Sequence, residues 1–273
     1  MKTLIVATDF SEEAENAVAY ASAAAQHLKT DVVIFNSFNI PLHVSNARLP
    51  ATVFEELLDS NRALLRTKAE KMSEAYGIKV TYESSFMQLE DELSSLFKKY
   101  DARVAIIGTT SKSLGQDLFS NSNTTTLLKL KLPVLAIPEG VTFRPVKRIL
   151  FACDVLRGIN VRIFEEIRDI AHLMGAEIEV FHVKNKVGNL SLESTEMPES
   201  NEIEEGLEGV PHSYKHVQSD RVIDEIKQEV KRINADLLVM VPQRYGFWKS
   251  LTHRSKTRIM ASQSQIPLLS IHI

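Results

Sequence analysis

The chain has 273 residues, 44% of them hydrophobic and 25% charged, with 32 Lys+Arg against 35 Asp+Glu and a single Cys. This balance excludes a disordered chain, a collagen-like repeat and an intramolecular disulfide framework. No apolar run approaches the roughly 18 residues that span a bilayer, and MKTLIVATDF passes from apolar to acidic residues without a signal-peptide pattern, so a reducing cytoplasm is the expected compartment and no membrane partner is expected.

The first element is an apolar run closing on an acid, Leu4-Ile5-Val6-Ala7-Thr8-Asp9. A helix follows, with Ser11 as its N-cap, Glu12 and Glu13 in its first turn, and Ala14, Ala17, Val18, Ala21, Ala25 and Leu28 recurring at threes and fours. Asp31 to Asn36 is a second apolar strand. A long helix from about Ala51 to Tyr76 shows Phe54, Leu57, Leu58, Leu65, Met72 and Tyr76, and the alternating strand Ile78 to Tyr82 comes after it. Leu89, Leu93, Leu96 and Phe97 mark a third helix. The apolar run Asp101 to Ile107, a polar loop, a helix from Thr124 to Leu132 and the strand Pro133 to Ile137 complete this half.

The same order then repeats. Ile149 to Asp154 matches Leu4 to Asp9, Glu177 to His182 matches Asp31 to Asn36, Asn234 to Met240 matches Asp101 to Ile107, and Pro267 to Ile271 matches Pro133 to Ile137. Helices between them are marked by Ile163, Ile167, Ile170, Ala171 and Met174, and by Ile223, Ile226, Val230 and Ile233. Four matched strands in one order indicate a duplication: a domain over residues 1–140, a second over 146–273, and a Gly/Pro-bracketed linker near Glu139 to Pro145. Alternating strands and helices, with strands that are continuous apolar runs, imply α/β domains, each with a parallel sheet covered by helices on both faces.

Ligands of such sheets lie beyond the strand carboxyl ends, where strand order reverses. That rule selects Asp9, Asn36, Ser37 and Gly108 in the first half, and Asp154, His182 and Val241 in the second. From Gly108 to Thr125 runs a loop rich in Ser, Thr and Asn that leads into a helix. Its amides and hydroxyls suit a phosphate, and the same composition suits an ordinary strand-to-helix loop with a Ser or Asn cap.

Val6-Ala7-Thr8-Asp9-Phe10-Ser11, the loop from Gly108 to Thr124 and the closing Pro133 to Pro138 resemble the universal stress protein family, and the duplication resembles its tandem members. The resemblance implies five-stranded doubly wound sheets of order 3-2-1-4-5, pairing of domains through their last strands, and ATP held by a Gly-x2-Gly-x9-Gly-Ser/Thr loop. On this sequence Gly108 matches the first glycine, Ser111 and Asn121 stand where the other two would be, and Ser122 matches the hydroxyl position, followed by Asn123. The resemblance further implies that Asp9 faces the ribose or adenine, that the Ser37 backbone reads the adenine edge and that Ile107 packs near the base. Ser in place of Gly adds a Cβ at the phosphate, whereas Asn tolerates the left-handed turn that glycine often supplies.

In the second half, Val241 to Trp248 replaces the glycine loop, with Val241 adding bulk and Pro242 removing an amide donor, so nucleotide binding by that mode is not expected there. Residues 237–273 hold Arg244, Lys249, Arg254, Lys256 and Arg258 and no acid, with Tyr245, Phe247 and Trp248 interleaved. This basic aromatic stretch either packs within the protein against the acidic run Glu193, Glu196, Glu199, Glu202, Glu204, Glu205 and Glu208, or contacts an anion or nucleic acid. The acidic run replaces the long second helix of the first half and is read as only partly ordered. His212 and His216 share one strand face within Val210 to Val217, but the expected histidine role is structural and no metal is assigned; Cys153 is expected to be buried packing.

The chain lacks the Gly-x-Ser-x-Gly, Gly-x-Gly-x-x-Gly, Gly-Lys-Ser/Thr and His-Glu-x-x-His signatures. The expectation is therefore a cytoplasmic stress-response or regulatory protein with ATP or a related adenine nucleotide in its first domain, and at most slow incidental ATP hydrolysis. The alternatives are a non-catalytic interaction scaffold with an empty site, self-associating through edge strands, and, more remotely, an adenylate-using enzyme.

Overall fold

A computed structural model describes residues 3–37, 51–85, 89–109, 132–153, 161–184, 201–241, 260 and 264–271. The chain divides into two compact units, Met1–Phe143 and Arg144–Ile273. The first contains β1 (Thr3–Ala7), α1 (Glu12–Leu28), β2 (Val32–Ser37), α2 (Ala51–Tyr76), β3 (Val80–Ser85), α3 (Leu89–Lys99), β4 (Ala102–Thr109) and β5 (Val134–Pro138). Its strands lie in the order β3-β2-β1-β4-β5, every neighbouring pair parallel. This is the doubly wound order 3-2-1-4-5, and the order reverses between β1 and β4.

The second unit contains β6 (Arg148–Ala152), α4 (Val161–Met174), β7 (Glu177–Lys184), α5 (Asn201–Gly206), β8 (His212–Gln218), α6 (Val222–Arg232), β9 (Leu237–Met240) and β10 (Leu268–Ser270). Its order, β8-β7-β6-β9-β10, is again all parallel and repeats the first. The helix expected over Thr124 to Leu132 lies outside the described residues except for its final Leu132, which is in a bend.

The central strands are buried on both faces, which is why they read as unbroken apolar runs. Ile5, Val6, Val33, Ile34, Phe35 and Ile106 are almost wholly withdrawn from solvent in the first unit, as are Ile149, Leu150, Phe151, Leu238 and Val239 in the second. Each such aliphatic or aromatic side chain contributes about 1.5–3 kcal/mol relative to exposure. Helix α1 starts where its cap residue stands: the Ser11 hydroxyl accepts the Ala14 N–H, with Glu12, Glu13 and Glu15 in the first turn. It ends at Lys29 in a left-handed C-cap conformation. Its buried face is mostly alanine, so the helix axis lies close to the sheet.

Two boundaries differ from the sequence reading. The strand expected over Ile78 to Tyr82 runs instead from Val80 to Ser85, because pairing with β2 continues residue by residue to Ser37↔Ser85 whatever the polarity. Ile78 precedes it as a buried anchor whose carbonyl accepts the Ser73 hydroxyl at 2.7 Å. In α6 the buried stripe is Val222, Ile226 and Glu229, one residue away from the expected Ile223, Ile226 and Val230. A carboxylate occupies a core-facing position there because two cations meet it.

Candidate functional site

At the switch point of the first unit the chain leaves β1 through Thr8, Asp9 and Phe10. The Thr8 N–H donates to the Phe35 carbonyl at 2.8 Å, prolonging the β1–β2 ladder by one residue. Phe10 has φ 64°, a left-handed conformation uncommon outside glycine, and its N–H is held by the Thr8 hydroxyl at 3.0 Å. Asp9 is exposed. Its Oδ1 accepts both the Ser11 N–H at 3.1 Å and the Ser11 hydroxyl at 2.6 Å, an arrangement that turns the Ser11 lone pairs toward Ala14. Among the described residues no donor meets Oδ2. A carboxylate thus stands at the mouth with one oxygen committed to the turn and the other available.

Gly108 closes the other side, near the end of β4. A Cβ built there would fall 2.0 Å from the Glu13 carbonyl oxygen, 2.3 Å from its carbon and 2.9 Å from the Ala14 nitrogen. The position therefore needs glycine so that β4 can abut the first turn of α1. Ile107, the residue before it, is 3% exposed and pairs with Ala136 of β5. Beyond it, the Thr109 carbonyl accepts the Glu139 N–H at 2.9 Å. Asn16 of α1 fastens this edge with Nδ2 bonds to the Pro138 carbonyl at 3.0 Å and the Val141 carbonyl at 3.3 Å.

Of the residues selected from sequence, Asp9, Ser37, Ile107 and Gly108 all belong to the carboxyl ends of β1, β2 and β4, three adjacent strands. Ser37 is half-buried and closes β2 opposite Ser85. Ser111, Asn121, Ser122 and Asn123 lie outside the described residues, as do Asp154, the 244–258 basic stretch and Glu193, Glu196 and Glu199.

Three residues join the site that sequence reasoning did not assemble. Asn36, 4% exposed at the end of β2, donates its Nδ2 to the Thr8 carbonyl at 2.6 Å. Asn61 of α2 donates to Asn36 Oδ1 at 3.0 Å, and the Ser84 hydroxyl of β3 donates to Asn61 Oδ1 at 3.0 Å. Asn36 stood out as a strand-end residue; Asn61 and Ser84 carry no local signal. The second unit performs the first link differently. His182, the positional match of Asn36, places Nδ1 3.1 Å from the Cys153 carbonyl, and the Cys153 N–H donates to the Phe181 carbonyl at 3.1 Å. A carbonyl can only accept, so Nδ1 carries the proton. Cys153 is buried at 4% exposure.

The second unit also holds an acid pair at the edge of a groove of about 390 Å³ lined in part by Arg148, Glu177, Glu179, His212 and Arg232. It lies at the amino ends of β6, β7 and β8, opposite the strand ends where ligands of this fold sit. Burial, then a hydrogen bond with Glu229, push the Glu179 carboxyl above its ordinary value despite Arg232. Burial would raise Glu229 too, but hydrogen bonds with Glu179, Lys215 and Arg232 outweigh it and hold Glu229 below the usual range. Lys215 reaches Glu229 at 2.6 Å and Arg232 reaches Glu179 at 2.6 Å. His212 sets Nδ1 2.8 Å from the Val210 carbonyl and Nε2 3.1 Å from Glu204, while His216 is exposed. Among the described residues, no three His, Cys, Asp or Glu side chains gather as a metal site, and no helix is long and apolar enough to cross a membrane.

The model of the universal stress protein family matches residues 1–138, half of the chain. The chain belongs to the universal stress protein family. Among solved structures, a universal stress protein from Archaeoglobus fulgidus DSM 4304 is similar over 99% of this chain and 98% of its own, at 18% identity and a TM-score of 0.72. A protein of unknown function from Pseudomonas aeruginosa PAO1 is similar at 13% identity and a TM-score of 0.53, covering 99% of this chain and 92% of its own. A putative universal stress protein from Pseudomonas aeruginosa UCBPP-PA14 gives 14% identity and a TM-score of 0.51 over the same shares. At these identities the likeness is one of fold, and it extends across both units. No curated protein matches the chain. In this universal stress protein the Asp9 turn, Ser37, Ile107 and Gly108 all fall within the segment that the family model matches.

Proposed function

We propose that the first unit of this universal stress protein binds ATP or another adenine nucleotide at the carboxyl ends of β1, β2 and β4, and that the protein serves a cytoplasmic stress response as a ligand-dependent regulator rather than as an enzyme. The observation that carries this reading is the Asp9 turn: an exposed carboxylate at the strand-order reversal, with one oxygen free for a ribose or base donor. Ser37 ends the neighbouring strand, and the Ser- and Asn-rich stretch after Thr109 supplies amides and hydroxyls for an anionic group. The second unit, with Val241 and Pro242 in place of the glycine loop, is structural. The mechanism is linkage: a ligand that binds only the folded unit stabilises it by about 2.7 kcal/mol at a hundredfold excess over Kd.

Mass spectrometry of the freshly purified, then denatured, protein tests this, together with thermal shifts on adding ATP, ADP or AMP. A released adenine nucleotide or a saturable rise in Tm is expected; neither appearing would remove the nucleotide from the account. One observation favours a second reading, an interaction scaffold with an empty site. Gly108 is accounted for by its contact with the α1 backbone, without any phosphate. In that case Asp9 and Ser122 substitutions would leave the response to nucleotide unchanged, while edge-strand substitutions would alter the mass in solution.

A further inference from the structure

We propose that Asn61, on α2 and remote in sequence from the mouth, is a positioning residue for the Asp9 turn, acting through Asn36. The inference rests on the nucleotide reading for its functional consequence and on geometry for the rest. Three side chains from three elements form a line of hydrogen bonds, Ser84 to Asn61 to Asn36, ending on the carbonyl of Thr8, the residue just before Asp9.

The direction of that line is forced. Because the Thr8 carbonyl only accepts, Asn36 turns its amide NH2 toward it and leaves Oδ1 for the next residue. Asn61 in turn presents its own NH2 and leaves Oδ1 for the Ser84 hydroxyl. No amide can flip without placing two acceptors face to face in a half-buried setting, where an unmade hydrogen bond is costly. The carbonyl at the far end belongs to the peptide that leads into Asp9, and the Thr8 side chain in turn holds the Phe10 N–H. The orientation of the carboxylate thus depends on a helix and an edge strand that do not themselves reach the mouth.

The second unit supplies an internal comparison. There His182 donates to the Cys153 carbonyl at the matched position, so the last link is made in both units by different chemistry. What recurs is a donor at the end of the second strand aimed at the carbonyl before the acid. Only in the first unit is that donor an amide whose polarity an α2 side chain sets. By reciprocity, a ligand gripped at Asp9 and the placement of α2 influence each other equally.

Isosteric replacement separates polarity from packing. Asn61→Asp keeps the shape and still accepts from Ser84, but it meets Asn36 Oδ1 with an acceptor. Asn36→His keeps the donor to Thr8, as in the second unit. Ser84→Ala removes the outermost link mildly, should Asn61→Asp fold poorly. In the full chain, hydrogen exchange at the Phe10 and Ser11 amides should quicken at least fivefold in Asn61→Asp, and to a smaller, measurable extent in Ser84→Ala, while the slowest amides of β1 stay within twofold. Asn36→His should leave Ser11 near the parent rate. ATP affinity measured on the same variants should fall in parallel with the Ser11 rate. Unchanged Ser11 exchange in both Asn61→Asp and Ser84→Ala, or an equal rise throughout β1, would overturn the positioning role. A parent chain that binds no ATP, with Ser11 exchange quickened as described, would instead retire the nucleotide reading and leave the positioning role standing.

Discussion

Gly108→Ala tests whether this glycine is required by packing. The added methyl would sit 2.0 Å from the Glu13 carbonyl oxygen and 2.3 Å from its carbon, against backbone on both counts. No rotamer change relieves such a clash; either the first turn of α1 or the end of β4 has to shift by more than 1 Å, on the order of the shortfall from van der Waals contact. Overpacking of a rigid site costs about 1–3 kcal/mol, and a backbone neighbour puts this case at about 3. At about 3 °C per kcal/mol for a unit of this size, the first unit should melt about 9 °C lower. Differential scanning calorimetry of the full chain without nucleotide measures it. If Gly108→Ala melts within about 1 °C of the parent, the close approach of β4 to α1 is wrong, and glycine at this position needs another explanation.

Three further outcomes follow from the same contacts. In Glu83, burial alone would raise the carboxyl, but hydrogen bonds from Lys99 and Tyr100 and the charges of Lys99 and Arg62 outweigh it and hold it below 4.5. A lowered carboxyl contributes stability above its unfolded value that is lost as pH falls, so Glu83→Gln should cost about 1 kcal/mol at pH 7 and nothing at about pH 3, by urea unfolding. Glu179 has the opposite sign: raised above 4.5 by burial and by Glu229, it stabilises the fold at low pH and loses that contribution as pH rises. Glu179→Gln should therefore gain on the parent between about pH 4.5 and 7.5 in urea unfolding; a difference that does not vary with pH would contradict the shared proton. Asn16→Ala removes both amide bonds to the Pro138 and Val141 carbonyls and should cost about 1–2 kcal/mol in the first unit, read by chemical denaturation.

Much of the architecture was legible because burial on both sides of a parallel sheet leaves a simple trace. Leu4 to Ala7 and Ile149 to Ala152 are apolar without alternation since both faces are covered. Helix α1 could be placed to the residue because Ser11 caps it and acids fill its first turn, signals that are local in sequence. The edge strand β3 was placed two residues early, since its half-buried residues follow the ladder with β2 rather than a hydrophobic pattern. Glu229 illustrates a different limit: a glutamate at a helical position reads as solvent-facing, and only Lys215, 14 residues earlier on another element, makes its burial tolerable.

Within the site, Asp9 and Gly108 were found because the fold rule points to strand ends. The reason for Gly108 was not legible, since a glycine needed for a phosphate and one needed for a helix backbone are the same letter. Asn61 and Ser84 were invisible for a physical reason too. They lie 25 and 48 residues from Asn36, on elements whose relative placement comes from packing rather than from any spacing along the chain.

Calorimetric titration of ATP into the full chain and into Asp9→Asn tests the central claim most directly. Asparagine keeps an acceptor for the Ser11 N–H and hydroxyl, so the turn survives while the negative charge is lost. The account predicts one saturable site in the parent, weakened about tenfold in Asp9→Asn, as for the loss of one charge-assisted hydrogen bond. Absence of binding heat in the parent, or equal affinity in both proteins, would contradict it.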